Sequence, residues 1–369
     1  MSEKKRSLLR CRECGLPRFV SFFMKWNADG TITQFMRRDF RVVILHLGFI
    51  DSLFANIESR VGLSIEHIAF EAQRNASKAT MDSFYDKMPG MRPMTRIGFV
   101  KRMGVAQFNK VGAFTGQCLS ETVEYVPGKY ATARIRNPFH LNMMAANVVG
   151  AFESLEGVPF SHTWEEEARD TYLIRIKRAD EKPEIAGRMM IEYPPIIPGD
   201  LKLERCPRCH APTALSHLRW MENDGIILDT RSGTRVVMLD GYMVAAVFRE
   251  MARELGDEVN ELLVDAQREW TVDHVEQLDY LGGDGPLSPE ERREAYGIYL
   301  DMLPLYGQGN PVALEVGDST IDVTVENPYE KHILAGTLQG LYEALERSGS
   351  KVTWKEPKPG VISFTVKGV

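Results

Sequence analysis

Hydrophobic and polar positions follow the same succession of patterns twice along the chain. In the first half, apolar stretches at residues 17–26 and 31–37 flank an Asp-Gly pair at residues 29–30. The second half carries a matching Asp-Gly pair at residues 224–225, again followed by a β-branched run. Because Asp-Gly between apolar runs is a strong signal for a tight turn, each half is predicted to begin with a β-hairpin.

Helical and then extended patterns follow each hairpin. Apolar residues at helical spacing predict a pair of helices in each half, at 46–60 and 64–78 and at 241–255 and 257–272. Stretches rich in Val, Tyr and Thr predict strands, at 120–136, 172–176, 321–325 and 361–366. The predicted class is α+β.

A further helix is predicted in each half after an Asn-Pro-aromatic motif. Asn137 and Asn327 are each followed by proline, which favours Asn as the helix cap and Pro at the first helical position. Each predicted helix carries two small residues four apart, which indicates close backbone packing: Ala146 and Gly150, and Gly336 and Gly340.

These marks recur in one order at a near-constant separation, which indicates an internal duplication. Cys11-x-x-Cys14 and Cys206-x-x-Cys209 lie 195 positions apart, and the tetrads at 71–74 and 265–268 lie 194 apart. We predict a first repeat over residues 1–177, a linker over 178–204 and a second repeat over 205–369.

Composition and charge narrow the functional classes. Hydrophobic residues make up 44% and charged residues 26% of the 369 positions, which is ordinary globular usage. The net charge of −6 argues against direct binding of nucleic acid. The sequence has neither an apolar run long enough to span a membrane nor the apolar core of a signal peptide, so a cytoplasmic location is expected.

Four of the five cysteines form the two Cys-x-x-Cys pairs, and in a reducing compartment such pairs indicate metal or redox chemistry. We predict one zinc ion shared by Cys11, Cys14, Cys206 and Cys209, with a structural role because four thiolates leave no open coordination position. Alternatives are a separate site completed by a nearby histidine, a site between two chains, or an iron–sulfur cluster. The histidines considered as ligands are His210, which also completes a c-type haem attachment pattern, and His217.

The later part of each repeat resembles the 4-vinyl reductase domain family. The resemblance rests on NPFHLNMMAANVVGAFESLEG and NPYEKHILAGTLQGLYEALER, with a capping Asn-Pro-aromatic motif, spaced small residues, a Glu-x-Leu-Glu turn and closing strands. This family shares its α+β fold with the haem-NO-binding domains and the small TRAPP-complex subunits. The resemblance implies a buried pocket for an aromatic compound, a tetrapyrrole or a lipid chain. Members that sense aromatic compounds often carry zinc-binding cysteines near the domain end, and residues 160–177 and 352–369 contain none.

Four further residues are candidate ligand-binding residues. Cys118 either lines the pocket or is an inert buried thiol, and His140 either lines the pocket, ligates haem or lies exposed in the first turn of its helix. Arg74 and Arg268 either anchor an anion or form salt bridges at a helix end. Methionines at 88, 91, 94 and 103 are interpreted as a pocket lid or as core, beside a basic patch at residues 92–102.

The leading functional hypothesis is a zinc-containing, non-catalytic protein that binds an apolar or aromatic small molecule as a sensor, carrier or accessory subunit. A second hypothesis is a protein-interaction scaffold or assembly factor, with a protein partner or a homodimer. A third is an enzyme acting on a ligand held in one repeat. No phosphate loop, nucleophile elbow, paired-His metalloprotease motif or kinase signature occurs in the sequence.

Overall fold

The computed structural model describes residues 10–35, 37–62, 64–180, 191–278 and 287–369. The extreme N-terminus and part of the predicted linker lie outside them. The described helices are α1 Arg18–Phe23, α2 Leu47–Val61, α3 Glu66–Lys87, α4 Met91–Met94, α5 Gly98–Phe114, α6 Leu141–Glu156, α7 Gly241–Leu255, α8 Glu258–Glu276, α9 Pro289–Leu300, α10 Met302–Leu305 and α11 Lys331–Glu346. The strands are β1 Met24–Trp26, β2 Ile32–Gln34, β3 Arg37–His46, β4 Leu119–Val126, β5 Tyr130–Arg136, β6 Phe160–Ala168, β7 Thr171–Arg178, β8 Leu218–Met221, β9 Ile226–Asp229, β10 Arg235–Asp240, β11 Asn310–Val316, β12 Thr320–Glu326, β13 Ser350–Lys358 and β14 Val361–Gly368.

A six-stranded sheet joins the two halves, with strand order β1-β2-β3-β10-β9-β8. Its centre is the antiparallel pair β3–β10, in which Ile44 lies opposite Met238. His46 pairs with Val236 and Val42 pairs with Asp240, so equivalent residues of the two halves exchange places about this point. The long β-branched runs of β3 and β10 form this centre because they are buried on both sides.

Each half also has its own four-stranded antiparallel sheet, and the predicted α+β class is confirmed. The strand orders are β4-β5-β7-β6 and β11-β12-β14-β13, which place equivalent strands in equivalent positions. In the first half α6 packs against α3, and in the second α11 packs against α8.

The small residues of α6 and α11 lie where these helices cross their partners. A Cβ atom on Gly150 would stand 2.2 Å from the carbonyl oxygen of Arg74, and one on Gly340 would stand 2.4 Å from that of Arg268. These distances leave no room for a side chain, so the predicted close backbone packing is confirmed in both halves.

Two local predictions were wrong. Residues 18–23 form helix α1 rather than the first hairpin strand, which is reduced to β1. Asn137 does not cap α6, since that helix begins at Leu141 and is capped by His140, whose ring nitrogen accepts from the Met143 N–H. Glu330 caps α11 in the same way.

Asn137 and Asn327 instead connect the two halves. Both have φ near +50°, in the left-handed region that Asn tolerates. The Asn137 side chain donates to the carbonyl of Asp224, and the Asn327 side chain donates to the carbonyl of Asp29. Each Asp-Gly turn therefore docks on the opposite half, and the two halves interlock across the central sheet. The repeat boundaries at residues 177 and 205 stay a prediction.

Candidate metal centre and cavity

The two Cys-x-x-Cys pairs form matching knuckles. In the first, the Cys11 N–H donates to the Leu16 carbonyl and the Gly15 N–H donates to the Cys11 carbonyl. The same bonds recur from Cys206 to Ala211 and from His210 to Cys206. The tight turn requires a left-handed residue, with φ of 74° at Gly15 and 59° at His210.

One arginine ties each knuckle to the opposite half. Arg10 donates to the carbonyl oxygen of Trp220 at 2.6 Å, and Arg205 donates to that of Trp26 at 2.8 Å. The same two arginines also donate to carbonyls within their own knuckles, those of Gly15 and His210. These crossed bonds bring the knuckles face to face.

The four predicted metal-ligating cysteines come together. The Sγ atoms of Cys11 and Cys206 are 3.8 Å apart, those of Cys14 and Cys209 are 3.4 Å apart, and all four lie within 4.8 Å of one another. Thiolates at about 2.3 Å from a tetrahedral ion lie about 3.8 Å apart, so the arrangement fits a four-coordinate metal. Neither His210 nor His217 belongs to this cluster.

Backbone N–H groups lower the pKa of two of the four cysteines, Cys11 and Cys206, whereas burial raises the pKa of Cys14 and Cys209. Burial raises the pKa of Cys11, but hydrogen bonds from the backbone of Cys14 and Glu13 outweigh it and lower the pKa to about 7. The backbone of Cys209 likewise lowers the pKa of Cys206. A lowered thiol pKa favours the thiolate, which is the form that ligates metal.

A large apolar cavity lies in the first half. Its volume is about 740 Å³, and its walls come from α3, α4, α5 and α6, the sheet β4-β5-β7, and the edge of α1. Small side chains keep it open where α5, β5 and α6 face it: Gly112, Ala131, Ala133 and Ala151. Aromatic and methionine side chains form much of the rest: Phe19, Phe23, Phe84, Met81, Met91, Phe108 and Phe152.

A few polar groups interrupt this apolar wall. The Tyr85 hydroxyl is buried and has no hydrogen-bond partner among the described residues. Burial raises its pKa to about 12, so it remains a donor across the physiological range. Asp240 also faces the cavity, caps α7 by accepting from the Tyr242 and Met243 N–H groups, and has its pKa raised to about 6 by burial.

The same position in the second half holds a cavity of only about 40 Å³. Matching hydrogen bonds align the halves here. The side chain of Gln117 donates to the Met238 carbonyl, and that of Gln308 donates to the Ile44 carbonyl. The N–H of Met238 donates to the Thr115 carbonyl, as that of Ile44 does to the Tyr306 carbonyl.

Larger side chains fill the second half at the aligned positions. Where the first half has Gly112, Ala131, Ala133, Ala151 and Val105, the second has, in the same order, Leu303, Ile321, Val323, Leu341 and Tyr296. All five of these larger side chains are buried. The framework is therefore shared, and the space inside it differs.

Of the four predicted ligand-binding residues, Cys118 lies in the cavity wall. It is fully buried, and burial raises its pKa to about 12, which keeps the thiol protonated and unreactive at neutral pH. His140 caps α6, its ring stacks on Phe54 at 4.6 Å, and it is not among the residues lining the cavity.

Arg74 and Arg268 lie in ion pairs between helices and do not line the cavity. Arg74 donates to Glu71 at 3.0 Å, to Glu153 and to the Phe160 carbonyl, and it is almost completely buried. Arg268 pairs with Glu343 at 2.9 Å. This matches the structural interpretation of both residues, in which they join α3 to α6 and α8 to α11.

The residues that shape the cavity were not singled out from the sequence, apart from Cys118 and the methionines. Met91, Met94 and Met103 do line it, whereas Met88 does not. The sequence does contain one signal for the cavity. When the two halves are aligned, alanines at 131, 133 and 151 correspond to larger aliphatic residues at every matching position. A patterned loss of volume in one repeat predicts a cavity there.

No family model and no curated protein matches the chain. Three solved structures show partial likeness. A mutant of the H-NOX domain of T. tengcongensis has 16% identity and a TM-score of 0.27, covering 35% of this chain and 74% of that chain. A structure from a study of heme distortion in the H-NOX family has 15% identity and a TM-score of 0.28, covering 35% and 72%. A Cs H-NOX mutant carrying 4-cyano-L-phenylalanine has 16% identity and a TM-score of 0.28, covering 35% and 74%. TM-scores this low establish neither a shared fold nor haem binding.

Proposed function

We propose that this protein binds one apolar small molecule in the cavity of its first half, and that its four clustered cysteines hold a structural zinc ion. The observation that carries the proposal is the difference in volume between two aligned positions, about 740 Å³ against about 40 Å³. An unfilled apolar cavity of the larger size forfeits packing energy. Ligand pockets typically measure about 300–1,000 Å³, so a ligand-binding role accounts for its retention.

The cavity wall favours a mostly apolar ligand with one polar group. Phe84, Phe108 and Ile174 offer only apolar surface, whereas the buried Tyr85 hydroxyl can donate one hydrogen bond to an acceptor on the ligand. The lining contains no Lys, Arg or His side chain. A neutral aromatic or a long-chain ligand with a carbonyl, ether or hydroxyl oxygen fits this chemistry.

Zinc would bind the sulfur atoms of Cys11, Cys14, Cys206 and Cys209 and would act as a cross-link between the halves. The knuckles come from sequence positions 195 apart, so an ion held by both closes a long loop. Chain entropy makes a link between distant residues more stabilising than one between close residues. Four thiolates complete the coordination, which supports a structural role.

Binding is tested by titrating the full chain with 1-N-phenylnaphthylamine, a neutral aromatic probe whose fluorescence rises in apolar sites. We expect saturable binding of one probe per chain. The triple variant A131I/A133V/A151L carries the side chains of the second half and should weaken binding at least about tenfold while keeping or raising thermal stability.

A168V enlarges an exposed alanine on β6 and is the matched control, with binding expected to be unchanged. If the triple variant does not fold, A131I alone serves in its place. Unaltered binding in a folded cavity-filling variant would contradict the proposal, as would the absence of any saturable probe binding in the wild-type chain.

A further inference from the structure

Exposed apolar residues gather at the mouth of the cavity. Met94, Met103 and Val111 line the cavity and are also 48%, 51% and 36% exposed, so the opening lies beside α4 and α5. Ile97 and Phe99, at the start of α5, are more exposed still, at 54% and 71%. Large apolar side chains grouped at one place on a surface indicate an interaction site.

Helix α1 adds apolar surface near the last residue of α5. Phe19 lines the cavity and stacks on Phe114 of α5, with ring centroids 4.6 Å apart. The neighbouring Phe22 and Phe35 are exposed and pack against each other at 5.7 Å. We call the combined surface the rim; it consists of Phe22, Phe35, Met94, Ile97, Phe99, Met103 and Val111.

The charge of the rim differs from that of the whole chain. Residues 88–120 contain five Lys or Arg and no Asp or Glu, although the chain carries a net charge of −6. Arg92 and Lys101 are paired with acidic residues. Arg96, Arg102 and Lys110 are exposed and form no salt bridge with any described residue.

The filled half carries the opposite charge at the equivalent place. Helix α9 contains Glu290, Glu291 and Glu294 against two arginines. The unpaired cations and the exposed apolar residues thus occur together, and they occur on the half that has the cavity.

We propose that the rim docks on an anionic lipid surface, and that the molecule held in the cavity enters from or leaves to that surface. Apolar side chains flanked by Lys and Arg are the combination that inserts at a lipid–water interface, with the cations contacting anionic headgroups. Because the cavity opens within the rim, an apolar molecule can move between bilayer and protein without crossing water. No helix among the described residues is long and apolar enough to span a bilayer.

This inference rests on the proposed binding function, and its test separates the two. The full chain is sedimented with phosphatidylcholine vesicles that contain about a quarter phosphatidylglycerol, and with pure phosphatidylcholine vesicles. We expect binding to the anionic vesicles that weakens at high salt, and little binding to the neutral ones.

The variant R96E/R102E/K110E should lower partitioning to anionic vesicles at least about tenfold, and F99S should lower it by a smaller factor. The control K351E/K355E/K367E makes the same charge change at exposed positions on β13 and β14 of the second half, and partitioning should stay within about twofold of wild type.

Binding of 1-N-phenylnaphthylamine without vesicles is measured in parallel, and both charge variants should retain it. Retained probe binding without vesicle binding in the wild type would overturn the lipid proposal and leave the binding function standing. Equal losses in the rim variant and the control would overturn it as well. A vesicle-independent dimer that the rim variant breaks would assign the rim to a second copy of the chain instead.

Discussion

The two halves of this protein share a framework and differ in what fills it. Both have a cysteine knuckle, a hairpin in the central sheet, a four-stranded sheet and a helix pair crossing at glycine. One encloses about 740 Å³ and the other about 40 Å³ at the aligned position. The hydrogen bonds and glycine contacts that form the fold are thus present in both halves, whereas the size of the side chains inside it determines whether a cavity is present.

The comparison also separates structural residues from ligand-facing ones. Glu153 and Glu156 of the first half bind Arg74 and Lys101, as Glu343 and Glu346 of the second bind Arg268 and Arg292. These ion pairs occur in the half without a large cavity too, so they maintain the fold. Residues that differ in size between the halves, such as Ala131 and the matching Ile321, instead determine how much space is left inside the fold.

Removing the metal should affect both halves together and most strongly. Cys11→Ser takes away one of four thiolates at the point where the halves meet, so bound zinc should fall from one per chain to near zero. We expect a loss of several kcal/mol in the free energy of unfolding, on the order of the large contributions of structural zinc. Elemental analysis and thermal unfolding measure both effects. Cys118→Ala, which lies outside the cluster, should retain one zinc, and retention of zinc by Cys11→Ser would contradict the shared site.

The matching arginines should differ in their contribution to stability. The carboxylate of Glu153 is almost fully buried, so Arg74→Met strands a buried charge and should cost about 3–5 kcal/mol in the free energy of unfolding. The Arg268–Glu343 pair is more exposed, and Arg268→Met should cost about 1 kcal/mol. Chemical denaturation of the two variants measures the difference. Equal losses would show that burial does not distinguish the two pairs.

Exchanging residues between matching positions should have opposite consequences. Leu341→Ala creates a cavity in the tightly packed second half and should lower the free energy of unfolding by about 2–5 kcal/mol. Ala151→Leu places the same side chain in the existing cavity and should change stability by less than about 1 kcal/mol in either direction. Denaturant unfolding of both variants gives the comparison, and a large loss from Ala151→Leu would mean that the first half has no space to fill.

The residues at the cap positions of α7 and α2, Asp240 and His46, give a pH-dependent effect. Burial raises the folded-state pKa of Asp240 to about 6 from its usual 3.8, so its stabilising effect is complete at low pH and is lost as pH rises through 6. Asp240→Asn keeps the cap acceptor but cannot ionise. Its stability relative to wild type should therefore rise by roughly 2 kcal/mol between pH 4 and 7.

His46 changes the free energy of unfolding with pH in the opposite direction. Because the variant and the wild type share this contribution, it cancels when their free energies of unfolding are subtracted. Burial lowers the pKa of that ring to about 3, so its contribution is lost as pH falls below its usual 6.5. Urea unfolding at several pH values tests this prediction, and a pH-independent difference would contradict the assignment to Asp240.

Periodicity and repeated spacing predicted much of the fold, because they act through local geometry. Helix α7 was predicted at its observed bounds, and the four cysteines were predicted to share one site because neither knuckle could complete a tetrahedron alone. The errors came where contacts between the halves override local preference. Asn is a residue type that often caps helices, yet Asn137 adopts a left-handed conformation in which its side chain donates a hydrogen bond to the opposite Asp-Gly turn.

The cavity could not be predicted from residue chemistry, since no polar motif marks it. Ala131 and Ala133 are ordinary residues in a strand. They indicate a cavity only when they are compared with the matching Ile321 and Val323 of the second half. His140 and Arg74 were predicted to bind a ligand because of their side-chain chemistry. In the structure, His140 caps a helix and Arg74 forms a buried ion pair. Cys118 does line the cavity, as an unreactive buried thiol.

Diffraction from a crystal of the wild-type chain under xenon pressure would show directly whether the first half encloses an apolar cavity, because xenon enters such cavities. We expect xenon, or a copurified apolar molecule, between α5, α6 and β5 in the first half and neither at the matching place in the second. Equal occupancy in both halves, or a first half packed as tightly as the second, would contradict this expectation.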